Sequence, residues 1–375
     1  MSHSKNVPRI VITGGPCGGK TTGLISLREK LLDIGFYPIM VPEVPTLLIS
    51  SGITPIGDIF SPAVFEGFVL EQILSFERLA KHAVRHITHA KPIIIYDRGI
   101  MDIKAYVDDD VFEALLERHE LTVPDVREHF CDAVFHLRTA AFGAEKFYTL
   151  KNNAARSESI GLAREIDERT LRAWIGHQHV GVIDNSTDFD GKMKRLFKGV
   201  CSILAIPAPL EIERKFLLGE FDYSVFAKEN IGVATADIEQ FYLMTPPGEN
   251  PDTTLRVRRR TQYGSSIYWK TRKEYVESGT NIEKEEEITA DEYEWSRAYM
   301  ATGTEPVRKY RHCFVYENQY FELDEFEGRH HGLVVLEIEL SDRGQEVILP
   351  PFLKIDREVT DDRSFSNRAL AQLAS

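Results

Sequence analysis

The order of apolar and polar positions changes near residue 205 of the 375-residue chain. Before that point, short and nearly continuous apolar runs alternate with longer segments of helical periodicity. Strands that are apolar at almost every position are typical of a parallel sheet covered by helices on both faces. The first part therefore predicts an α/β domain, with strands expected at residues 9–14, 37–43, 91–97, 133–139 and 179–185.

A helical segment followed by prolines marks the predicted end of this domain. The sequence MKRLFKGVCSILA has helical character, and Pro207 and Pro209 follow it directly. Proline lacks a backbone donor and biases the preceding residue toward extended geometry. We therefore predict two domains, comprising residues 1–206 and 207–375.

In the second part the apolar residues recur with a period of two, as in β-strands. Turn-forming sequences such as PPGENPD, YGSS and EGRHHG separate the strand-like segments, and ADEYEWSRAYMAT interrupts them as a helical insertion. The pattern predicts an antiparallel β domain.

Composition and charge restrict the class of protein and its expected location in the cell. The net charge of −13 disfavours a general nucleic-acid-binding protein, which requires a basic surface, so we expect no nucleic-acid partner. The cysteines are widely spaced without a CxxC pair, which favours free thiols in a reducing compartment. We find neither a signal sequence nor a transmembrane segment. The expected location is cytoplasmic, with peripheral association at membranes left open.

A phosphate-binding motif follows the first predicted strand. The stretch from Gly14 to Thr21 fits G-x-x-x-x-G-K-[ST] and opens a helical segment, which is the context that a P-loop requires. Its backbone N–H groups can surround a phosphate, Lys20 can reach the β- and γ-phosphates, and Thr21 can hold Mg²⁺ (or Mn²⁺). The predicted nucleotide-binding residues of the motif are Gly14, Gly15, Pro16, Cys17, Gly18, Gly19, Lys20, Thr21 and Thr22.

Two acidic residues end neighbouring strands of the same domain. Asp97 lies at the carboxyl end of a buried strand, where it can hold the metal ion or instead cap the next helix. Glu43 ends the preceding strand and can act as a base toward an acceptor hydroxyl or anchor its loop. We predict both as catalytic, with Asp97 also a metal ligand.

The sequences VPEVP and YDRG resemble the strand-end Glu and the Asp-Arg pair of nucleoside-kinase-like and nicotinamide-riboside-kinase-like P-loop domains. That resemblance implies a phosphate-contacting role for Arg98 and an arginine-rich lid, for which Arg156, Arg164 and Arg169 are candidates. The alternative for the lid arginines is a solvated helix face with salt bridges. No guanine-specific motif is present, so the choice between ATP and GTP stays open.

Charged residues of the second domain repeat at alternate positions, so they share strand faces. An exposed face with cross-strand ion pairs is one explanation, and a closed barrel with the charges inside is the other. In a barrel, basic residues can take phosphate oxygens and carboxylates a hard cation. The strands that show the pattern contain Glu211/Glu213/Lys215, Arg256/Arg258, Lys270/Arg272, Glu285/Glu287, Lys309/Arg311, Glu322/Asp324 and Glu337/Glu339.

This succession, beginning with ExExK, resembles the CYTH domain of the triphosphate tunnel metalloenzymes over nearly all of residues 210–375. The resemblance implies a barrel, Lys215 and Asp324 as catalytic residues, and metal-assisted attack of water on a triphosphate. A register change of one residue would turn Arg308 inward in place of its neighbours. The implied metal ligands are Glu211, Glu213, Glu337 and Glu339. The implied triphosphate ligands are Lys215, Arg256, Arg258, Lys270, Arg272, Lys309 and Arg311.

A kinase-like P-loop domain before a CYTH domain also resembles the translocation-defect GTP-binding protein family. Two hypotheses follow. In the first, the chain binds a nucleoside triphosphate and hydrolyses an inorganic or organic triphosphate in the barrel. In the second, it is a GTP-regulated protein that binds phosphoinositide or another anionic lipid headgroup with little turnover. The intact carboxylate pairs favour the first.

Overall fold

The computed structural model divides the chain into two compact units, Met1–Val200 and Cys201–Ser375. The predicted boundary between residues 206 and 207 lies at an edge of the described residues and stays a prediction. The structure describes residues 7–55, 59–145, 159–206, 210–246, 248, 253–277, 280–340 and 344–373, with the backbone alone at 210, 211 and 277.

The first unit contains a five-stranded parallel sheet in the order β2-β3-β1-β4-β5. Its central strand contributes Ile10, Val11 and Ile12, all fully buried, which agrees with cover on both faces. The predicted α/β architecture is confirmed. The strands are β1 (Arg9–Thr13), β2 (Phe36–Val41), β3 (Lys91–Asp97), β4 (Ala133–Leu137) and β5 (Val180–Ile183).

Helices connect these strands. Ser61 starts the long third helix by accepting a hydrogen bond from the Val64 N–H at 3.3 Å, and Pro62 follows where a proline is tolerated. No described helix is both long and apolar enough to cross a membrane. The helices are α1 (Lys20–Asp33), α2 (Val44–Ser50), α3 (Pro62–Ala83), α4 (Asp109–Arg118), α5 (Val123–Arg127), α6 (Ile160–Trp174) and α7 (Phe189–Ile203), with 3₁₀ turns at Val84–His86 and Ile100–Ala105.

The second unit is a closed antiparallel barrel of eight strands in the order β10-β9-β8-β7-β11-β12-β13-β6. Pairing of β6 with β10, through Ile212 opposite Thr280, closes the ring, and β14 pairs with the other half of β6. The predicted barrel is thus confirmed. The strands are β6 (Leu210–Leu218), β7 (Val233–Leu243), β8 (Thr253–Gln262), β9 (Ser265–Glu277), β10 (Thr280–Ile288), β11 (Val307–Tyr316), β12 (Gln319–Phe326), β13 (Val334–Leu340) and β14 (Ile355–Glu358).

The apolar face of this barrel points outward over much of its circumference. Phe216, Phe314 and Leu336 lie in one buried cluster with Phe226 and Leu353, which come from outside the ring. Burying such side chains stabilises the fold by roughly 2 kcal/mol each and leaves the alternate, charged positions facing inward. Helices α8 (Ser224–Lys228), α9 (Ala290–Ser296) and α10 (Asn367–Ala371) and 3₁₀ turns at Arg297–Tyr299, Gly328–His330 and Arg363–Phe365 complete the unit.

Candidate functional site

The P-loop of the first unit connects β1 to α1. Gly14 has φ 139°, and a Cβ there would lie 2.1 Å from the Leu137 carbonyl oxygen, so only glycine fits. Gly19 has φ 83° and precedes α1 as its N-cap. A glycine offers no side chain to cap the helix, so the first N–H groups of α1 are left for an anion.

Lys20 is folded back over this loop. It is 5% exposed, and its Nζ donates to the carbonyl oxygens of Gly14 at 2.9 Å and Gly15 at 3.0 Å. Thr21 and Thr22 follow on the exposed side of the first turn of α1. A buried ammonium group at the head of the loop is placed to meet a phosphate when one enters.

Asp167, on α6, anchors the start of the loop and was not predicted as a site residue. Its Oδ1 accepts from the Gly15 N–H at 2.8 Å and the Thr139 N–H at 3.0 Å, and its Oδ2 accepts from Arg138 at 2.7 Å. Burial alone would raise the pKa of Asp167, but His136, Arg138 and Gly15 hold it well below its usual value.

Asp167 lies among the charged residues of the predicted lid segment, but it is not on a solvated helix face, because it is fully buried. In the sequence, Asp167 is one helical turn from both Ala163 and Leu171, which are apolar and buried. That spacing places Asp167 on the buried face of α6 and could have identified it as a buried carboxylate.

A second anchor is Lys192, on α7, which sequence reasoning also missed. Its Nζ donates to the Gly18 carbonyl at 3.0 Å, the Arg138 carbonyl at 2.7 Å and Asn185 Oδ1 at 2.8 Å. Burial lowers the pKa of Lys192 to about 8. Asp167 and Lys192 thus hold the two ends of the loop.

Replacing Asp167 with alanine is expected to lower the free energy of unfolding by about 3–5 kcal/mol, since Arg138 and two buried N–H groups lose their acceptor. Urea unfolding followed by the fluorescence of Trp174, which is fully buried in the same unit, measures this. Asp190→Ala, at an exposed position of α7, is the matched control. A loss below about 1 kcal/mol would contradict an anchoring role.

The acidic strand ends meet beside the P-loop. Glu43 accepts from Arg98 Nε at 2.8 Å and from Thr46 Oγ1 at 2.7 Å. Burial raises the pKa of Glu43, but Arg98 and Lys20 outweigh it and bring the value to about 2. Burial raises the pKa of Asp97 to about 6, against the attraction of Lys20.

Asp97 fits a metal-binding role. Its Oδ1 is buried and has no hydrogen-bond partner in the described part of the chain, which is uncommon for such an atom. No group of three metal-ligating side chains occurs among the described residues. A divalent cation beside Asp97 and Thr21 would therefore complete its shell with phosphate oxygens and water, as Mg²⁺ commonly does.

The two predicted lid arginines that the structure describes bind backbone carbonyls and a carboxylate of the first unit. Arg164 donates to the Ala141 carbonyl at 2.7 Å and to Glu145 at 3.0 Å, and Arg169 donates to the Val107 carbonyl at 3.4 Å. Arg156 lies outside the described residues. The predicted phosphate contacts of these arginines stay predictions.

Inside the barrel, carboxylates face each other across β6 and β13. Glu213 is paired directly with Glu339, and Lys215 with Glu337. Lys215 Nζ lies 2.5 Å from Glu337 and 3.3 Å from Glu213. Burial lowers the pKa of Lys215, but the two carboxylates outweigh this effect, and the pKa is raised above its usual value.

Like charges in opposed positions of a sheet are destabilising, so the Glu213/Glu339 pair fits a bound cation. Hard oxygen ligands suit Mg²⁺ or Mn²⁺. The backbone of Glu211 pairs with Asn281, and its side chain lies outside the described residues.

Asp324 binds two basic side chains. Arg311 binds it through two hydrogen bonds, Nε to Oδ1 at 2.7 Å and Nη2 to Oδ2 at 2.6 Å, and Lys309 contacts the same carboxylate. Arg311 also donates to Glu337 at 2.8 Å. Burial raises the pKa of Asp324, but Arg311 and Lys309 hold it below its usual value. Arg308 lies on the other face of β11, where it binds Glu239. Lys309 and Arg311 therefore point inward, and the alternative register with Arg308 inside is excluded.

Ion pairs that span β9 hold the arginines of β8. Arg256 Nη2 lies 3.3 Å from Glu283 and 3.4 Å from Glu285, and Arg258 Nη2 lies 3.2 Å from Glu285. Burial lowers the pKa of Arg258, although Glu285 favours its charged form. Glu287 shares this face as predicted, opposite Trp269, and its side chain is exposed.

The prediction that Lys270 and Arg272 face the interior is wrong. Arg256 is paired directly with Thr271, so alternation turns Thr271 and Lys273 inward and the two predicted residues outward. Lys273 Nζ lies 3.3 Å from Glu283 and 3.7 Å from Glu213, whereas Lys270 is exposed.

The β8–β9 turn contained the signal for this register. Tyr263 and Gly264 have φ 50° and 73°, as in a two-residue hairpin loop, with Gln262 opposite Ser265. Counting back from that turn places Thr271, and not its neighbours, opposite Arg256.

This closed barrel with an interior of opposed charges agrees with the comparisons. Residues 209–356 match the CYTH domain model. The inorganic triphosphatase of Nitrosomonas europaea is 33% identical over 165 residues, which cover 43% of this chain and 96% of that protein. The chain belongs to the CYTH family. The inorganic triphosphatase of Acetivibrio thermocellus is 32% identical over 162 residues, covering 43% of this chain and 93% of that protein.

A crystal structure of an inorganic triphosphatase matches with 30% identity and a TM-score of 0.31, covering 43% of this chain and 93% of that one. Ahead of the CYTH domain, residues 9–192 match an AAA domain model. The predicted combination of a P-loop kinase-like domain with a CYTH domain is confirmed. The finer resemblance to the translocation-defect GTP-binding protein family stays a prediction.

Proposed function

We propose that the CYTH domain is a metal-dependent triphosphatase and that the P-loop domain binds a nucleoside triphosphate. The observation that carries the first part is the barrel interior, where opposed carboxylates on β6 and β13 adjoin basic side chains from β6, β8, β9 and β11. The two relatives called inorganic triphosphatase support the choice of reaction.

The proposed mechanism follows from how these side chains are held. Asp324 positions Arg311 and Lys309, so its role is to orient the basic groups. Arg256 and Arg258 exchange the carboxylates of β10 for phosphate oxygens when a triphosphate enters. Glu213, Glu337 and Glu339 would supply ligands to a divalent cation, with Glu211 predicted beside them. Because no three metal-ligating side chains of the described residues already form a group, the cation would complete its shell with phosphate oxygens and water. Bound there, Mg²⁺ or Mn²⁺ would supply charge neutralisation for attack by water on the terminal phosphorus.

Orthophosphate release from tripolyphosphate, nucleoside triphosphates and thiamine triphosphate tests the proposal. We expect turnover that stops with EDTA and returns with added Mg²⁺ or Mn²⁺. Unchanged hydrolysis in EDTA would contradict a metal-dependent reaction.

Lys273→Ala is expected to raise the KM for tripolyphosphate at least about 10-fold, because an inward cation beside Glu213 and Glu283 is lost. Lys270→Ala, on the same strand with its side chain exposed, is the matched control and leaves the KM unchanged. Steady-state kinetics give the KM of each variant for tripolyphosphate. A larger effect at Lys270 would contradict the register on which the site depends.

For the P-loop domain, the buried Lys20 and the unpartnered oxygen of Asp97 support binding of a nucleotide with its metal ion. Glu43 and Arg98 stay predicted as the base and a phosphate contact. Phosphoinositide binding is a further prediction, measured by cosedimentation with liposomes that contain or lack the phosphorylated headgroup.

A further inference from the structure

The C-terminal segment of the chain packs against one end of the barrel interior. On β11, β12 and β13 the apolar residues at this end alternate with Lys309, Asp324 and Glu337, so they also face inward. They are buried in one cluster with Leu370 and Ala371 of α10, which therefore covers this end of the interior. The strand residues of the cluster are Tyr242, Val307, Phe326 and Val335.

Hydrogen bonds fix the position of α10. The Glu305 N–H donates to the Ala371 carbonyl at 2.8 Å, which ties the end of the helix to the chain that leads into β11. Ser366 caps the other end by accepting from the Ala369 N–H at 3.2 Å. The first residue of the helix, Asn367, is thereby held beside the barrel interior.

Asn367, which sequence reasoning did not single out, binds one of the basic residues of the proposed triphosphate site. Lys309 Nζ donates to Asn367 Oδ1 at 3.1 Å and also contacts Asp324. The same Nζ lies 5.2 Å from the centre of the Phe326 ring. An ammonium group has only donors, so the amide must turn its oxygen toward it. Because Lys309 is 2% exposed, these contacts fix the position of its charge.

The neutrality of Asn367 matters because the carboxylate beside Lys309 is shared. Asp324 also binds Arg311. Within the described parts of the chain, Asp324 is the one carboxylate in an ion pair with Lys309, which leaves the positive charge of Lys309 only partly balanced. Burial lowers the pKa of Lys309 to about 8, although Asp324, and more weakly Glu337, favour the charged form. A further acceptor such as Asn367 helps the lysine to stay protonated.

We infer that Asn367 is a positioning residue of the triphosphate site, which orients the ammonium group of Lys309 without neutralising it. The inference rests on the proposed function of the barrel. A carboxylate at this position would hold a buried lysine more firmly, but it would cancel the charge that attracts a phosphate oxygen. A purely structural partner and a positioning residue therefore predict opposite effects of aspartate.

Asn367→Asp and Asn367→Ala separate these two roles. Both are made in a chain that also carries Lys20→Ala, so that the P-loop does not bind the probe. With Mg²⁺ present, we expect Asn367→Asp to raise the KM for tripolyphosphate at least about 10-fold and Asn367→Ala to raise it about 3-fold. Aspartate adds a negative charge beside the phosphates, whereas alanine removes one acceptor from Lys309. A larger rise in Asn367→Ala than in Asn367→Asp would show a structural role and overturn the inference.

Gln372→Glu is the matched control, because it makes the same change from amide to carboxylate at an exposed position of the C-terminal segment. Its KM should equal that of the Lys20→Ala chain. Thermal unfolding shows whether each variant keeps its fold, with a Tm within about 2 °C of the parent chain. If Asn367→Asp does not fold, Asn367→Ala decides, and an unchanged KM in that variant would overturn the inference.

The same variants distinguish this inference from the proposed hydrolysis. If the Lys20→Ala chain releases no orthophosphate, calorimetric titration with tripolyphosphate and Mg²⁺ gives the dissociation constants. Binding without turnover would refute the hydrolysis, and weaker binding in Asn367→Asp than in Asn367→Ala would still support the positioning role. No binding by the parent chain would refute both. Normal hydrolysis with an unchanged KM in Asn367→Asp would refute the positioning role alone.

Discussion

Glu213→Gln is expected to lower metal-dependent hydrolysis of tripolyphosphate by at least about 100-fold. Glu213 is paired with Glu339 across the barrel wall and lies 3.3 Å from Lys215, so it sits between the proposed metal ligands and the basic groups. Glutamine keeps the size of the side chain but loses the charge that holds a divalent cation. Orthophosphate release at several Mn²⁺ concentrations measures the effect, and the apparent Mn²⁺ affinity should fall with it.

Glu358→Gln is the matched control for this prediction. Glu358 lies on β14 and forms an ion pair at 2.6 Å with Arg214, which is on the outer face of β6 beside Glu213. Its loss removes an ion pair without touching the barrel interior, so kcat and KM should stay close to wild type. Equal losses in both variants would point to a general effect on the barrel and would contradict a metal-binding role for Glu213.

Lys20→Ala is expected to weaken binding of ATP or GTP by the P-loop domain at least about 100-fold. A buried ammonium group above the loop supplies the positive charge that phosphates require, and alanine leaves those phosphates without it. Titration with a fluorescent nucleotide measures the change. The titration is done in a chain that also carries Arg256→Ala and Arg258→Ala, so that nucleotide bound in the barrel does not contribute to the fluorescence.

Lys30→Ala, later in α1, is the control for Lys20→Ala. Lys30 lies over the Phe197 ring at 5.4 Å, away from the P-loop, and its loss should not alter nucleotide affinity. Tripolyphosphate hydrolysis by the barrel should survive Lys20→Ala in the otherwise wild-type chain. If hydrolysis is lost with nucleotide binding, the two sites are not independent and the proposed division of function is wrong.

Local pattern was sufficient for much of the fold and for the P-loop. Continuous apolar runs in the first part and period-two runs in the second correctly predicted a parallel sheet and an antiparallel β domain, and the resemblance to the CYTH domain correctly implied that the second closes into a barrel. The P-loop was recognisable because its glycines are dictated by backbone geometry within a few residues, as Gly14 shows. The inward orientation of Lys309 and Arg311 was implied by the resemblance to the CYTH domain, and only the structure excludes the alternative register, because Arg308 binds Glu239 on the outer face.

Prediction failed where a side chain's position depends on a distant partner. The KTR sequence by itself fits either face of β9, and Lys273 turns inward because the tight Tyr263–Gly264 turn fixes the pairing of β9 with β8. Asp167 resembled one more charge on a solvated helix, yet it binds Gly15, 152 residues earlier in the chain.

The sequence by itself determined two domains, their classes of secondary structure and a phosphate-binding loop, because periodicity and glycine geometry act over short distances. The tertiary structure decided which charges line the barrel and which carboxylates reach the P-loop. Those outcomes depend on strand register, barrel closure and burial, which arise only when residues far apart in the chain pack together.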